Sequence, residues 1–229
     1  MRDKTLLGGL IVMGVGAVLI GVVWALFLQP SRTPTEPLTA VPIQLEGDST
    51  TYTIFEINGA ESEVTFVLDE VLRGLPTIVT GNSRYVAGQI AINFANPQAS
   101  QIGPITINAR TLATDNEFRD NAIHNFILDT EANEFITFTP TEIRGLPAQF
   151  VANESVAIEI VGELKIRDIA QPVIFEGTVM ANGRTQLTGS ATAQIERGAF
   201  QLQIPNAPGV ANVSEKVSLA INFIALATN

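Results

Sequence analysis

The chain has 229 residues, 46% hydrophobic and 16% charged, with a mean hydropathy of +0.26 and a formal charge of -10. It is too apolar to stay disordered, and its acidic balance, with only three lysines, lacks the phosphate-neutralising footprint of a nucleic-acid binder. With no cysteine, a disulfide scaffold, a thiolate zinc site, a cysteine nucleophile and a lipidated cysteine are all excluded, and a single histidine, His124, leaves at most one imidazole for acid/base work.

Residues 1–5 carry Arg2 and Lys4, and Leu6 to Leu28 then run for 23 residues without a charge. At helical rise that run measures about 34 Å, the thickness of a bilayer core. Gln29-Pro30-Ser31-Arg32 follows where a cleaved signal would show a small-x-small site, so an uncleaved transmembrane anchor over 6–28 is expected. Its glycines form no GxxxG register. The positive residues before the span place the N-terminus in the cytoplasm and the remainder on the periplasmic or extracellular face of the cytoplasmic membrane. Residues 29–47 contain Pro30, Pro34, Pro37 and Pro42 among Thr, Ser and Glu, the composition of an extended stalk that does not pack.

From residue 48 to 229 the period becomes two. Val64, Phe66 and Leu68 alternate with Thr65, Val67 and Asp69, and Ile90, Ile92 and Phe94 with Ala91, Asn93 and Ala95. Val156, Ile158 and Ile160 continue the pattern, as do Val217, Leu219, Ile221 and Phe223. Alternation of this kind marks strands with one buried face. Strands are expected near 50–58, 62–70, 84–94, 103–110, 134–144, 155–167, 171–181, 185–196 and 214–226. Arg73-Gly74-Leu75-Pro76 and Arg144-Gly145-Leu146-Pro147 read as hairpin corners. One helix is expected over Asn116–Leu128, where Phe118, Ala122, Ile123, Phe126 and Ile127 recur at helical spacing after Asp115. An antiparallel all-β chain must close or stack its sheet to hide its edges, so a barrel or a sandwich follows.

Phosphate-binding glycine loops, HExxH, GxSxG and EF-hand loops are absent. The acidic pairs Asp69-Glu70 and Glu131 with Glu134 are what an acidic surface alone supplies. His124 has no second His or Cys to complete a site and reads as a surface or interface residue. Arg119-Asp120 reads as a hydrogen-bonded latch between the helix and a strand. Eleven phenylalanines lie beyond the N-terminal apolar run and the only tryptophan lies inside it. Phe66, Phe94, Phe138 and Phe175 suit either a dry core or an apolar cavity, and Gly189-Ser190-Ala191-Thr192-Ala193 leaves room inside. The residues alone do not decide between the two.

Several segments resemble the YceI-like family. Leu112 to Asn121 (LATDNEFRDN) is similar to its T-(few residues)-R-D segment, and Ile127-Leu128-Asp129-Thr130 with Ile136-Thr137-Phe138 to the block that follows. Val161 to Val173 (VGELKIRDIAQPV) resembles the family's G-D/E-L-T-I-x-G-V-T-K-P-V stretch. Ile195-Glu196-Arg197-Gly198-Ala199-Phe200 is similar to its I-x-R-x-D-F-G segment, and Ser83 to Ile90 to its V-x-G-x-I strand. Here Arg167-Asp168 stands for the usual Gly-Val, Gln171 for Lys and Ala199 for Asp.

The resemblance, which covers about 50 to 226, implies a lipocalin-like antiparallel β-barrel of about eight strands with one short helix, preceded here by the single transmembrane helix. It implies a non-catalytic, periplasmic carrier or store of a polyisoprenoid, such as an isoprenoid quinone tail, with no cofactor and no metal. The expected lining is Phe66, Leu68, Ile90, Ile92, Phe94, Phe138, Ile158, Ile160 and Phe175, with Phe126 from the helix near the opening. Expected partners are that lipid and, through the N-terminal helix, the membrane; a homodimer is left open. The alternative is a ligand-free barrel that serves as a structural or interaction module.

Overall fold

A computed structural model describes residues 32–35, 38–45 and 49–228. The expected transmembrane run 6–28 lies outside the described residues, and among these no helix is long and apolar enough to cross a membrane. The described residues form thirteen strands: β1 (Thr53–Ile57), β2 (Glu63–Leu72), β3 (Leu75–Ser83), β4 (Val86–Ala87), β5 (Gln89–Ile92), β6 (Gln101–Ile102), β7 (Ile105–Asn108), β8 (Phe135–Arg144), β9 (Ser155–Ile166), β10 (Ile169–Asn182), β11 (Gln186–Glu196), β12 (Val210–Ala211) and β13 (Lys216–Ala227). A short helix, α1 (Glu117–Ala122), lies between β7 and β8.

All of them belong to one antiparallel sheet in the order β4-β7-β8-β9-β10-β11-β13-β1-β5-β6, with β2 pairing β13, β3 and β12. β4 and β5 are one run of chain interrupted at Gly88, so the first strand of this order is chain-continuous with the ninth. The sheet is strongly curled, a half-barrel rather than the simple eight-stranded barrel expected. β13 is shared, its residues Ser218–Asn222 pairing β2 and Ala225–Ala227 pairing β1. The β8–β9 ladder slips between Pro140 and Glu142, where proline has no N–H to give to the ladder.

The strand count exceeds expectation because long alternating runs are broken and because β3 carries no hydrophobic alternation. Its inward positions are Val79, Gly81 and Ser83, while Leu75 and Ile78 are exposed. Both RGLP sequences are corners. Arg73 (φ 51°) and Gly74 (φ 84°) close the two-residue β2–β3 turn, and Gly145 (φ 84°) leads from β8 into the loop 145–154. Arg167, at φ 56°, makes the tight turn between β9 and β10. On the other side of β10, Gln171 Nε2 donates to the carbonyl of Ala199 at 3.1 Å.

The expected helix is only half α-helical. Asn116 caps it, its side chain accepting from the N–H groups of Phe118 and Arg119, and after Ala122 the chain widens into a π-helix, Ile123–Ile127. The Leu128 N–H reaches back to Ile123 O at 2.8 Å. The wide turn sets the consecutive residues Ile123 and His124 both inward.

Residues 32–35 and 38–45 have no helix or strand, as a proline-rich composition dictates, yet they are not free of the domain. Thr35 donates to Glu134 from its N–H (3.0 Å) and its hydroxyl (2.7 Å), Arg110 donates to Thr33 O (3.3 Å), Arg32 pairs with Glu131, and Ile43 N–H meets Gln89 Oε1 at 3.0 Å. The composition precludes packing a core, but main-chain and hydroxyl donors remain available to charged partners on the sheet.

Candidate ligand-binding cavity

The inward face of the sheet is packed at two ends and hollow between them. One packed cluster holds Leu112, Ile123, Leu128, Phe138, Leu164, Ile166, Phe200 and Val217; the other holds Phe55, Ile57, Ile90, Ile92, Ala181, Leu187 and Ala225. Along the inward row of β13, Val217 is 8% exposed and Ala225 0%, whereas Leu219, Ile221 and Phe223 between them are only half-buried. β9 repeats this, with Ile158 and Ile160 half-buried before the buried Leu164 and Ile166, and β10 too, with Phe175 and Gly177 half-buried between Val173 and Val179. Inward apolar side chains retain accessible surface only where nothing fills the space they face. The choice between a filled core and a cavity, open in the sequence, therefore falls to the cavity.

Its volume is about 190 Å³. Ile57, Phe66, Ile90, Ile105, Ile136, Phe138, Ile160, Phe175, Ile221 and Phe223 are on its wall, and Leu146 and Phe150 reach it from the loop after β8. Among the described residues none that lines it is charged, and Thr65, Ser100, Thr178 and Ser190 supply the hydroxyls. Phe138 and Phe175 meet edge to face, their centroids 4.9 Å apart. Such a space offers burial and shape, with few polar groups to fix an orientation.

Of the ten residues expected on the wall, seven line it: Phe66, Ile90, Ile92, Phe138, Ile158, Ile160 and Phe175. Three do not. Leu68 continues the alternation of Phe66 but packs against the first cluster, where the interior is filled. Phe94 lies beyond the end of β5, where the Asn93 side chain accepts from the N–H groups of Ala95 and Asn96 and turns the chain; its ring packs on Phe55 and Phe150 under Arg184. Phe126 is in the π-helix, and that segment packs over the filled end of the interior and not over an opening. The loop residues Leu146 and Phe150 had no periodic signal, and Ile221 and Phe223 were visible as an alternating face without being assigned to the wall.

The polar residues of the helix region form a latch outside the cavity. Arg119 Nη2 donates to Glu70 Oε1 on β2 at 2.8 Å, and its Nη1 to Asp115 Oδ1 at 2.6 Å. Asp120 Oδ1 accepts from Thr114 N–H at 2.8 Å and from its hydroxyl at 2.6 Å. The adjacent pair thus fastens helix and loop to the sheet, as expected of a latch. Among the described residues no group of three acidic, histidine or cysteine side chains is arranged to hold a metal.

Glu134, on the turn before β8, is pushed up by burial, but the hydrogen bonds from Thr35 and Asn108 and the charge of Arg110 outweigh this and hold its carboxyl below the usual range. A carboxyl depressed on folding stabilises above its unfolded pKa and ceases to as pH falls through the folded value. The contact between residues 32–35 and the domain should therefore loosen in acid, seen as a lower amide protection factor at Thr35, whose N–H donates to Glu134.

His124 is not at the surface. It is 4% exposed, and its Nε2–H donates to the Leu112 carbonyl at 2.7 Å, holding a residue of the cavity wall. Burial pushes its pKa below the ordinary value, against the opposing effects of that carbonyl and of Asp120. Below about pH 6.5 the unfolded chain takes up a proton that folded His124 refuses, so stability falls as pH drops from there toward the folded pKa. The urea midpoint should decrease between about pH 7.5 and pH 5.5, and His124→Gln, which keeps a donor for Leu112, should flatten the decrease.

A curled antiparallel sheet around an uncharged apolar cavity, closed at one end by a latched short helix, defines the class of this protein. The chain belongs to the YceI-like family, whose domain model matches residues 55–225. Its fold is similar to that of a polyisoprenoid binding domain from Saccharophagus degradans implicated in plant cell wall breakdown, with a TM-score of 0.61 and 13% identity over 77% of this chain and 99% of the other. It is also similar to Burkholderia cenocepacia BcnA, with a TM-score of 0.57 and 20% identity over 73% and 98% of the two chains. A Campylobacter jejuni YceI protein gives a TM-score of 0.51 at 16% identity over 65% and 84%. No curated protein matches the chain.

Proposed function

We propose that this domain binds a long apolar lipid, of the polyisoprenoid class, without performing chemistry on it. The observation that carries the reading is the cavity wall, uncharged throughout and left half-buried by the protein itself. Membership of the YceI-like family and the likeness of the fold to a polyisoprenoid binding domain support it. The energetics are adequate, because each CH₂ removed from water contributes about 0.8 kcal/mol and a chain of several isoprene units needs no charged clamp. Carriage or storage is the role that suits a wall whose polar side chains are four hydroxyls.

The same proposal places the domain at the outer face of the cytoplasmic membrane, held by residues 6–28 with the N-terminus inside. The uncharged length of that run and the basic residues before it support this. Two experiments test the two halves. Delipidated protein incubated with ubiquinone or solanesol should retain it through gel filtration, and retention of neither rejects the lipid reading. In spheroplasts of the native host, external protease should digest the domain while the chain stays with the membrane after alkaline washing; a freely soluble chain rejects the anchor.

A further inference from the structure

Three rings of the cavity wall lie over glycines of the neighbouring strand. Phe66 is directly opposite Gly81, and a Cβ on that glycine would come within 2.3 Å of Phe66 Cε1 and 2.4 Å of its Cζ. Phe223 is opposite Gly189, whose Cβ would fall 2.7 Å from the ring's Cε1 and Cζ. Phe138 lies across from Leu164, two residues from Gly162, whose Cβ would fall 2.6 Å from Phe138 Cζ. A ring can occupy such a place only where the neighbour has no side chain, and it then lies along the wall instead of standing into the interior. Phe138 belongs to the first packed cluster and Phe66 packs against it, while Phe223 packs against the second, so the rings stand at the two ends of the hollow stretch.

We propose that these ring-over-glycine pairs set the length of apolar chain that the cavity accepts, with Phe66 and Gly81 as the selectivity-determining pair. The proposal rests on the lipid-binding reading and extends it to specificity. At Gly162 and Gly189 an added Cβ would also come within 2.6 Å of a backbone oxygen, that of Thr139 or Thr178, and would disturb the sheet itself. At Gly81 the atoms it would meet first belong to side chains, the Phe66 ring and, at 3.1 Å, Thr114 Cγ2. Alanine at 81 therefore displaces the Phe66 ring from the wall toward the hollow and shortens it. Leucine at 66 removes the ring and lengthens it.

The test uses the 229-residue chain, delipidated in detergent and offered equal amounts of geranylgeraniol and solanesol, with the bound masses read by native mass spectrometry after detergent release. Gly81→Ala should lower the bound ratio of the long to the short polyprenol about tenfold, Phe66→Leu should raise it, and the double variant should return toward the wild-type ratio. Should Gly81→Ala fail to fold, Phe66→Leu carries the test alone. Bound chains with an unchanged ratio in the folded single variants overturn this proposal while leaving lipid binding intact. A wild-type protein that binds neither polyprenol overturns the binding reading and this proposal with it.

Discussion

Phe175→Glu should abolish lipid retention. Phe175 is on the wall of the hollow, against Phe138 and beside Ile160 across the β9–β10 ladder, and no cation is among the lining residues. A carboxylate there must either stay protonated or draw water into the cavity, and either way it occupies the path of an apolar chain. The lost ring contacts also lower stability by about 3 kcal/mol. The neighbouring substitution Ile174→Glu separates the two effects. Ile174 is one residue away but 49% exposed on the outer face, and its replacement should leave retention and the urea midpoint nearly unchanged. Lipid extracted in wild-type amounts from Phe175→Glu would remove that strand face from the binding wall.

Arg119→Ala should be strongly destabilising although it lies outside the cavity. It leaves the Glu70 side chain, 6% exposed, without the guanidinium 2.8 Å away, and it unfastens the helix from β2. Stranding one member of a buried ion pair costs about 3–5 kcal/mol, read as a lower denaturant midpoint. Replacing both partners, Glu70→Leu with Arg119→Leu, should recover most of the loss because no charge is then left unpaired. If the single and double variants are equally unstable, the latch works through packing and not through charge.

Much of the fold was legible because alternation is a direct consequence of one buried face. The inward rows Phe66, Ile158 with Ile160, and Leu219 with Ile221 were read correctly from sequence, and Arg119-Asp120 was recognisable as a latch because adjacent opposite charges beside an apolar helix need partners. β3 was not legible, since its inward row ends in Gly81 and Ser83, residues that carry no hydrophobic signal. Phe94 was misplaced because the alternation of β5 runs on past Ile92 while the backbone does not. His124 was misread because a period of 3.6 cannot foresee a π turn that buries two consecutive residues. The glycines beneath the rings belong to other strands than the rings themselves, and only the pairing register brings them together.

The central claim is that the hollow holds a lipid. Native mass spectrometry with organic extraction tests it on residues 32–229, produced in a quinone-containing bacterium and purified without detergent. The predicted result is an added mass of several hundred daltons that extracts as a polyprenyl compound. A clean unliganded mass, with no uptake of added quinone, would contradict it.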